Sequence, residues 1–143
     1  MERRGMKKIT LIVLSAVLML TAGIEASAQE GGYDVFVPIS KYIAQGDAQR
    51  LSAWFADNLE ISIINSTNDT SNNQARQILK SFFDTYSPRS FTITHKATRD
   101  NMKYALGMLN AGGEVFLVTV FVSSKGDSYR IQQLKIERQN DIY

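Results

Sequence analysis

The sequence predicts an α+β fold, helices first and a curved antiparallel sheet after them, on three observations. Apolar residues recur mostly at helical spacing as far as Tyr86 and at alternate positions from Arg89 onward. Residues that favour helix starts, Asp34, Asp47 and Ser71, stand just before three early apolar runs. The segments "NAGGE" and "SSKGDS" place glycines between the late alternating runs, where hairpin turns require them.

The chain opens on "MERRGMKK", basic at Arg3, Arg4, Lys7 and Lys8, followed by an uncharged apolar run from Ile9 to Leu20. That run is too short to span a bilayer, which takes roughly 20 apolar residues as a helix. With small residues at Ala26 and Ala28 it reads as a secretory signal peptide, residues 1–28, cleaved before Gln29. The expected product is one domain, residues 29–143, exported to the periplasm or secreted by a bacterial cell. The chain has no cysteine, so the expected protein is not a lipoprotein and has no disulfides. Its hydrophobic core must hold it.

Charge argues against two classes of partner. Of the 16 basic and 14 acidic residues, residues 1–28 carry four and two, leaving twelve of each sign. A neutral domain without clustered Lys and Arg lacks the footprint of a nucleic-acid binder, or of a protein drawn to a membrane surface once its signal is removed.

In the remaining chain, Asp34 is expected to cap a first helix with Phe36, Ile39 and Ile43 on its buried face and Pro38 in its first turn. Gly46 ends that helix, and Asp47 caps a second with Leu51, Trp54 and Phe55 buried. "LEISII" alternates as a strand, with Leu59, Ile61 and Ile63 on one face. The polar stretch "NSTNDTSNN" reads as a loop, and its two glycosylation-type sequons read as loop composition. Ser71 and Gln74 have the spacing of a capping box for a third helix, along which Ala75, Ile78, Leu79, Phe82, Phe83 and Tyr86 form a stripe.

Strands are then expected near 90–98, 103–110, 114–123 and 128–138, the last three as an antiparallel meander. The run "EVFLVTVFVSS" is apolar at both parities, which predicts a central strand covered on both faces. In "YRIQQLKIER" the apolar parity switches between Ile131 and Leu134, which predicts a bulge near Gln132 and Gln133 and a bend in the sheet.

This order of elements resembles the nuclear transport factor 2-like fold over residues 34–138. Within it, "VFVPISKYIAQGDAQRLSAWFADNLEISI", "ILKSFF" and "KGDSYRIQQLKIE" resemble the domain of unknown function 4783 family of small exported bacterial proteins. The resemblance implies a sheet curled into a cone whose mouth and apolar concave side are closed by about three helices. It implies no activity, because the family carries none to transfer and the superfamily holds isomerases, dehydratases, ligand binders and scaffolds.

Candidate chemistry is sparse. His95 is the only histidine and, by alternation with Phe91, Ile93 and Ala97, points into the cone, where it could serve as a general base or acid. Asp57 and Asp84 are the carboxylates that could accompany it, although a turn role just before a strand suits Asp57 better. Glu60, Glu114 and Asp127 are placed on the polar face, at strand ends or in turns. One histidine and no cysteine exclude a soft metal site, only scattered loop oxygens around Asp69 could face calcium, and no phosphate-binding glycine motif is present. No metal and no cofactor are expected.

Tyr42, Trp54, Phe55, Phe83 and Tyr104, with His95, could line a pocket for a small apolar ligand, or could simply be core. Three helices cover only one face of a sheet. Val115, Leu117, Phe121 and Leu109 are therefore candidates for an outer-face interface, with a homodimer or another protein partner burying them. The sequence thus favours an exported, non-catalytic binding or interaction module. The alternative is a small isomerase- or dehydratase-like enzyme using His95 with Asp57 or a tyrosine.

Overall fold

The computed structural model describes residues 34–126 and 128–139, and the fold lies within the unit Val35–Tyr143. The expected signal peptide, residues 1–28, lies outside the described residues. Helix α1 spans Phe36–Gln45 and buries Phe36, Ile39 and Ile43, as the spacing predicts. Its N-cap position is Val35, itself in helical conformation and without a side-chain cap. Gly46 closes the helix in the left-handed region at φ 68°, which glycine adopts without a Cβ penalty.

Asp47 accepts a hydrogen bond from the Arg50 N–H at 2.9 Å and starts the short helix α2, Ala48–Leu51. A 3₁₀ turn, Ser52–Trp54, follows, and strand β1 runs Phe55–Ile63. Phe55 therefore opens a strand and does not extend a helical face. It is still buried, because the entry to β1 turns it toward the core.

The stretch expected as a loop is strand β2, Ser66–Ser71, antiparallel to β1 with Ile61 opposite Asn68 and Leu59 opposite Thr70. It is the edge of the sheet and almost wholly exposed, so it needs no apolar face to form. Its register is fixed by the ladder and by a 2.9 Å hydroxyl bond between Ser62 and Thr67. Ser71 ends it, accepts from the Gln74 N–H at 3.2 Å, and begins helix α3, Asn72–Thr85.

Strands β3 (Pro88–Arg99), β4 (Met102–Ala111), β5 (Glu114–Lys125) and β6 (Ser128–Arg138) complete a six-stranded sheet of order β2-β1-β6-β5-β4-β3. The meander is antiparallel throughout, while β1 lies parallel to β6. Gln133 stands opposite Phe121 and Ile131 opposite Val122, which leaves Gln132 as the expected bulge. Two more bulges lie in β3, at Arg89 and Thr94. Each adds local twist, and together they curve the sheet.

The helices cover one face. Phe116, Val118, Val120 and Val122 of β5 are buried there beside Leu109, Ile131, Leu134 and Ile136. From α3, the Phe82 ring meets Phe116 edge-on with centroids 5.1 Å apart, and Tyr86 meets the same ring at 5.2 Å. Arg138 closes this end by donating at 2.9 Å to both Glu114 and the Tyr86 hydroxyl. Among the described residues, strand β5 is thus covered by helices on one face only. Val115, Leu117, Thr119 and Phe121 on its other face are half-buried, which corrects the expectation of double cover.

Candidate functional site

The predicted site residues do not converge. Phe55 and Phe83 are buried in the core, and Tyr42 and Trp54 pack against its margin. These four belong to the helix-covered side. His95 and Tyr104 belong to the other.

The reason is the bulge at Thr94. Ile93 stands opposite Gly107, but His95 stands opposite Leu106, so Thr94 has no partner across the ladder and the parity of β3 reverses at that point. Phe91 and Ile93 face the helices, whereas His95, Ala97 and Arg99 face outward. Thr94 seats the bulge by donating from its hydroxyl to the Leu106 carbonyl at 3.3 Å. His95 is therefore exposed, with its ring edge-on to Tyr104 at 6.2 Å between centroids, and does not enter the cone.

Asp57 is exposed on β1, four strand-to-strand steps from β3 in the sheet order. At about 4.8 Å per step that separation is roughly 20 Å, beyond any proton transfer between the two side chains. The His95–Asp57 pair is not formed. Among the described residues no three His, Cys, Asp or Glu side chains gather as a metal site would require. No helix among them is long and apolar enough to cross a membrane.

What the fold does assemble is an outer sheet face. The register aligns Tyr104 with Phe121, Leu106 with Thr119 and Met108 with Leu117, all half-buried by one another. Leu109 is not part of it. Paired with Phe116, it stands on the helix side and is fully buried, so the expectation that placed it at an interface is corrected.

The flanks of the face are polar and unlike each other. On the β6 and β1 side, Gln133 donates to Glu60 at 2.9 Å and Lys135 lies 3.8 Å from Glu137, with Asp69 beyond on β2. On the β3 side stand His95 and Arg99. At the β3–β4 hairpin the face ends in a depression of about 550 Å³ floored by Ala97, Tyr104 and Phe121, with Arg99, Met102 and Lys103 at its rim.

Sequence reasoning missed Leu106 and Met108. The signal was present, because "KYALGMLNA" is apolar at both parities, with Tyr104, Leu106 and Met108 alternating against Ala105, Gly107 and Leu109. A second depression, of about 560 Å³, lies between the α1–α2 turn and α3. Its polar groups largely satisfy one another: Arg76 donates to Gln49 and Asn73, and Lys80 pairs with Asp84 at 2.9 Å. Such exposed pairs contribute little and leave little directed chemistry for a ligand.

A family model described as "Domain of unknown function (DUF4783)" matches residues 36–137. Among solved structures, a DUF4783 family protein from Bacteroides uniformis is similar with a TM-score of 0.67 and 23% identity, over 70% of this chain and 93% of that one. Another, from Bacteroides ovatus, gives a TM-score of 0.68 and 21% identity, over 70% and 91%. A Streptomyces avermitilis protein from the NTF2-like family gives 0.53 and 9%, over 70% and 87%. At these identities the likenesses show a shared fold. No curated protein matches the chain.

Proposed function

The chain belongs to the DUF4783 family, a family of unknown function with the NTF2-like fold, and from that premise we propose that it is an exported, non-catalytic binding module whose working surface is the outer face of its sheet. Export is supported by the basic start, the short apolar run and the small residues before Gln29. The observation that carries the binding role is the apolar strip Tyr104, Leu106, Met108, Leu117 and Phe121, set on the face that the three helices do not cover.

Large contiguous apolar patches on a folded chain usually mark interaction sites, and the half-buried strip is the extended apolar surface of this sheet. A second copy is the partner this face suits best. A two-fold axis near β5 lays apolar strip on apolar strip, and it brings the His95 and Arg99 flank of one copy toward the flank of the other where Glu60, Asp69 and Glu137 outnumber Lys135. The non-catalytic reading is supported by the placement of His95, exposed and remote from Asp57, and by core aromatics packed between helices and sheet where an enzyme would keep its pocket.

Because the chain lacks cysteine, a spin label at Thr119→Cys on the outer face tests the interface directly. Dipolar coupling between labels of two copies is the expected result. Labels that remain magnetically isolated at micromolar protein would overturn the reading.

A further inference from the structure

Resting on the reading of the outer face as a binding surface, the geometry points to a ligand site at its β3–β4 end that takes a free single-chain carboxylate amphiphile. The depression there, about 550 Å³, falls within the ~300–1,000 Å³ typical of small-molecule sites. It exists because of one small side chain. Ala97 stands opposite Tyr104, which in turn stands opposite Phe121 in a row that continues to Gln133, so a methyl group lies beside two aromatic rings, and a notch remains where a third large side chain would pack. Its walls, Tyr104, Phe121 and Met102, are only half-buried, and they offer an aliphatic chain a surface that continues into the apolar strip.

The head group is specified by Arg99. It borders the notch, is exposed, and makes no ion pair among the described residues. A guanidinium presents a planar fork that matches a carboxylate in two parallel hydrogen bonds. Lys103 adds positive charge at the same rim, its ammonium 4.8 Å from the Tyr129 ring centroid. Neither the floor nor the rim supplies a carboxylate of its own, so an anionic head meets cations and no competing acid. The site thus selects for an anion on an apolar tail over either part alone.

Calorimetric titration of laurate, below its micelle threshold, into protein purified from cells expressing the full chain tests this. Saturable binding of one laurate per chain is expected, weakened about tenfold by Arg99→Gln and abolished by Ala97→Trp, with uncharged dodecyl maltoside binding far more weakly. Absence of laurate binding, equal affinity in both variants, equal affinity for dodecyl maltoside, or binding only to phosphatidylglycerol vesicles would each overturn it. Should Ala97→Trp fail to fold, Arg99→Gln, an exposed change, still reads the head group. The titration is repeated on Leu117→Lys, which disturbs the strip and leaves the notch. A parent that is monomeric and binds laurate upholds this site while defeating the dimer, a monomeric Leu117→Lys that binds laurate upholds both, and a dimeric parent that ignores laurate defeats this site alone.

Discussion

The ring of His95 meets that of Tyr104 edge-on, 6.2 Å between centroids and 70° between planes, on the face of the sheet that the helices leave uncovered. Among the described residues no carboxylate is bonded to His95, so the oriented partner of a catalytic dyad is not assembled there. His95→Gln should therefore leave the fold intact, with unfolding free energy within about 0.5 kcal/mol of the parent by urea titration. A turnover activity present in the parent and lost by orders of magnitude in this variant would restore the enzyme reading.

Phe116 and Leu117 are neighbours with opposite duties. Phe116 is fully buried against Phe82 and Tyr86, so Phe116→Ala should cost about 3–5 kcal/mol in chemical denaturation. Leu117→Lys lies on the half-buried outer face and should cost about 1 kcal/mol or less in dilute solution. Equal losses would mean that both faces are core.

Gly107 has no room for a side chain. A Cβ there would stand 2.5 Å from the tip of the Phe91 ring and 2.8 Å from the Thr92 carbonyl oxygen, and the second contact is backbone and cannot swing away. Gly107→Ala should destabilise the chain by about 1–3 kcal/mol, the usual cost of overpacking, read as a lowered urea midpoint at unchanged slope.

Ser71 holds the start of α3 through one hydrogen bond to the Gln74 N–H. Replacing it by Ala should cost about 1 kcal/mol, and Ser71→Asp should recover most of that, because either side chain caps a helix. Thermal unfolding of the pair checks the role.

How far the sequence reveals this protein varies element by element. The helices are legible where a start or stop has a local cause, as at Asp47, Ser71 and Gly46. The bulge at Gln132 shows as a parity switch between two apolar pairs. The bulge at Thr94 does not, because Ala97 is small enough to fit either face and keeps an apparent alternation with Phe91 and Ile93. That one hidden residue sent His95 to the wrong side of the sheet. Strand β2 escaped for a different reason: an exposed edge needs only ladder hydrogen bonds, and these leave no hydrophobic pattern. Of the surface proposed to bind, Leu117 and Phe121 were visible in the two-sided β5, while Leu106 and Met108 needed the register to β5 before their face was known.

Sedimentation velocity across micromolar concentrations, with the parent beside Leu117→Lys, bears most directly on the outer face as the working surface. A parent that sediments as a dimer, together with a folded Leu117→Lys variant that sediments as a monomer, is the predicted result. A parent that stays strictly monomeric throughout, with the variant unchanged from it, would contradict the account.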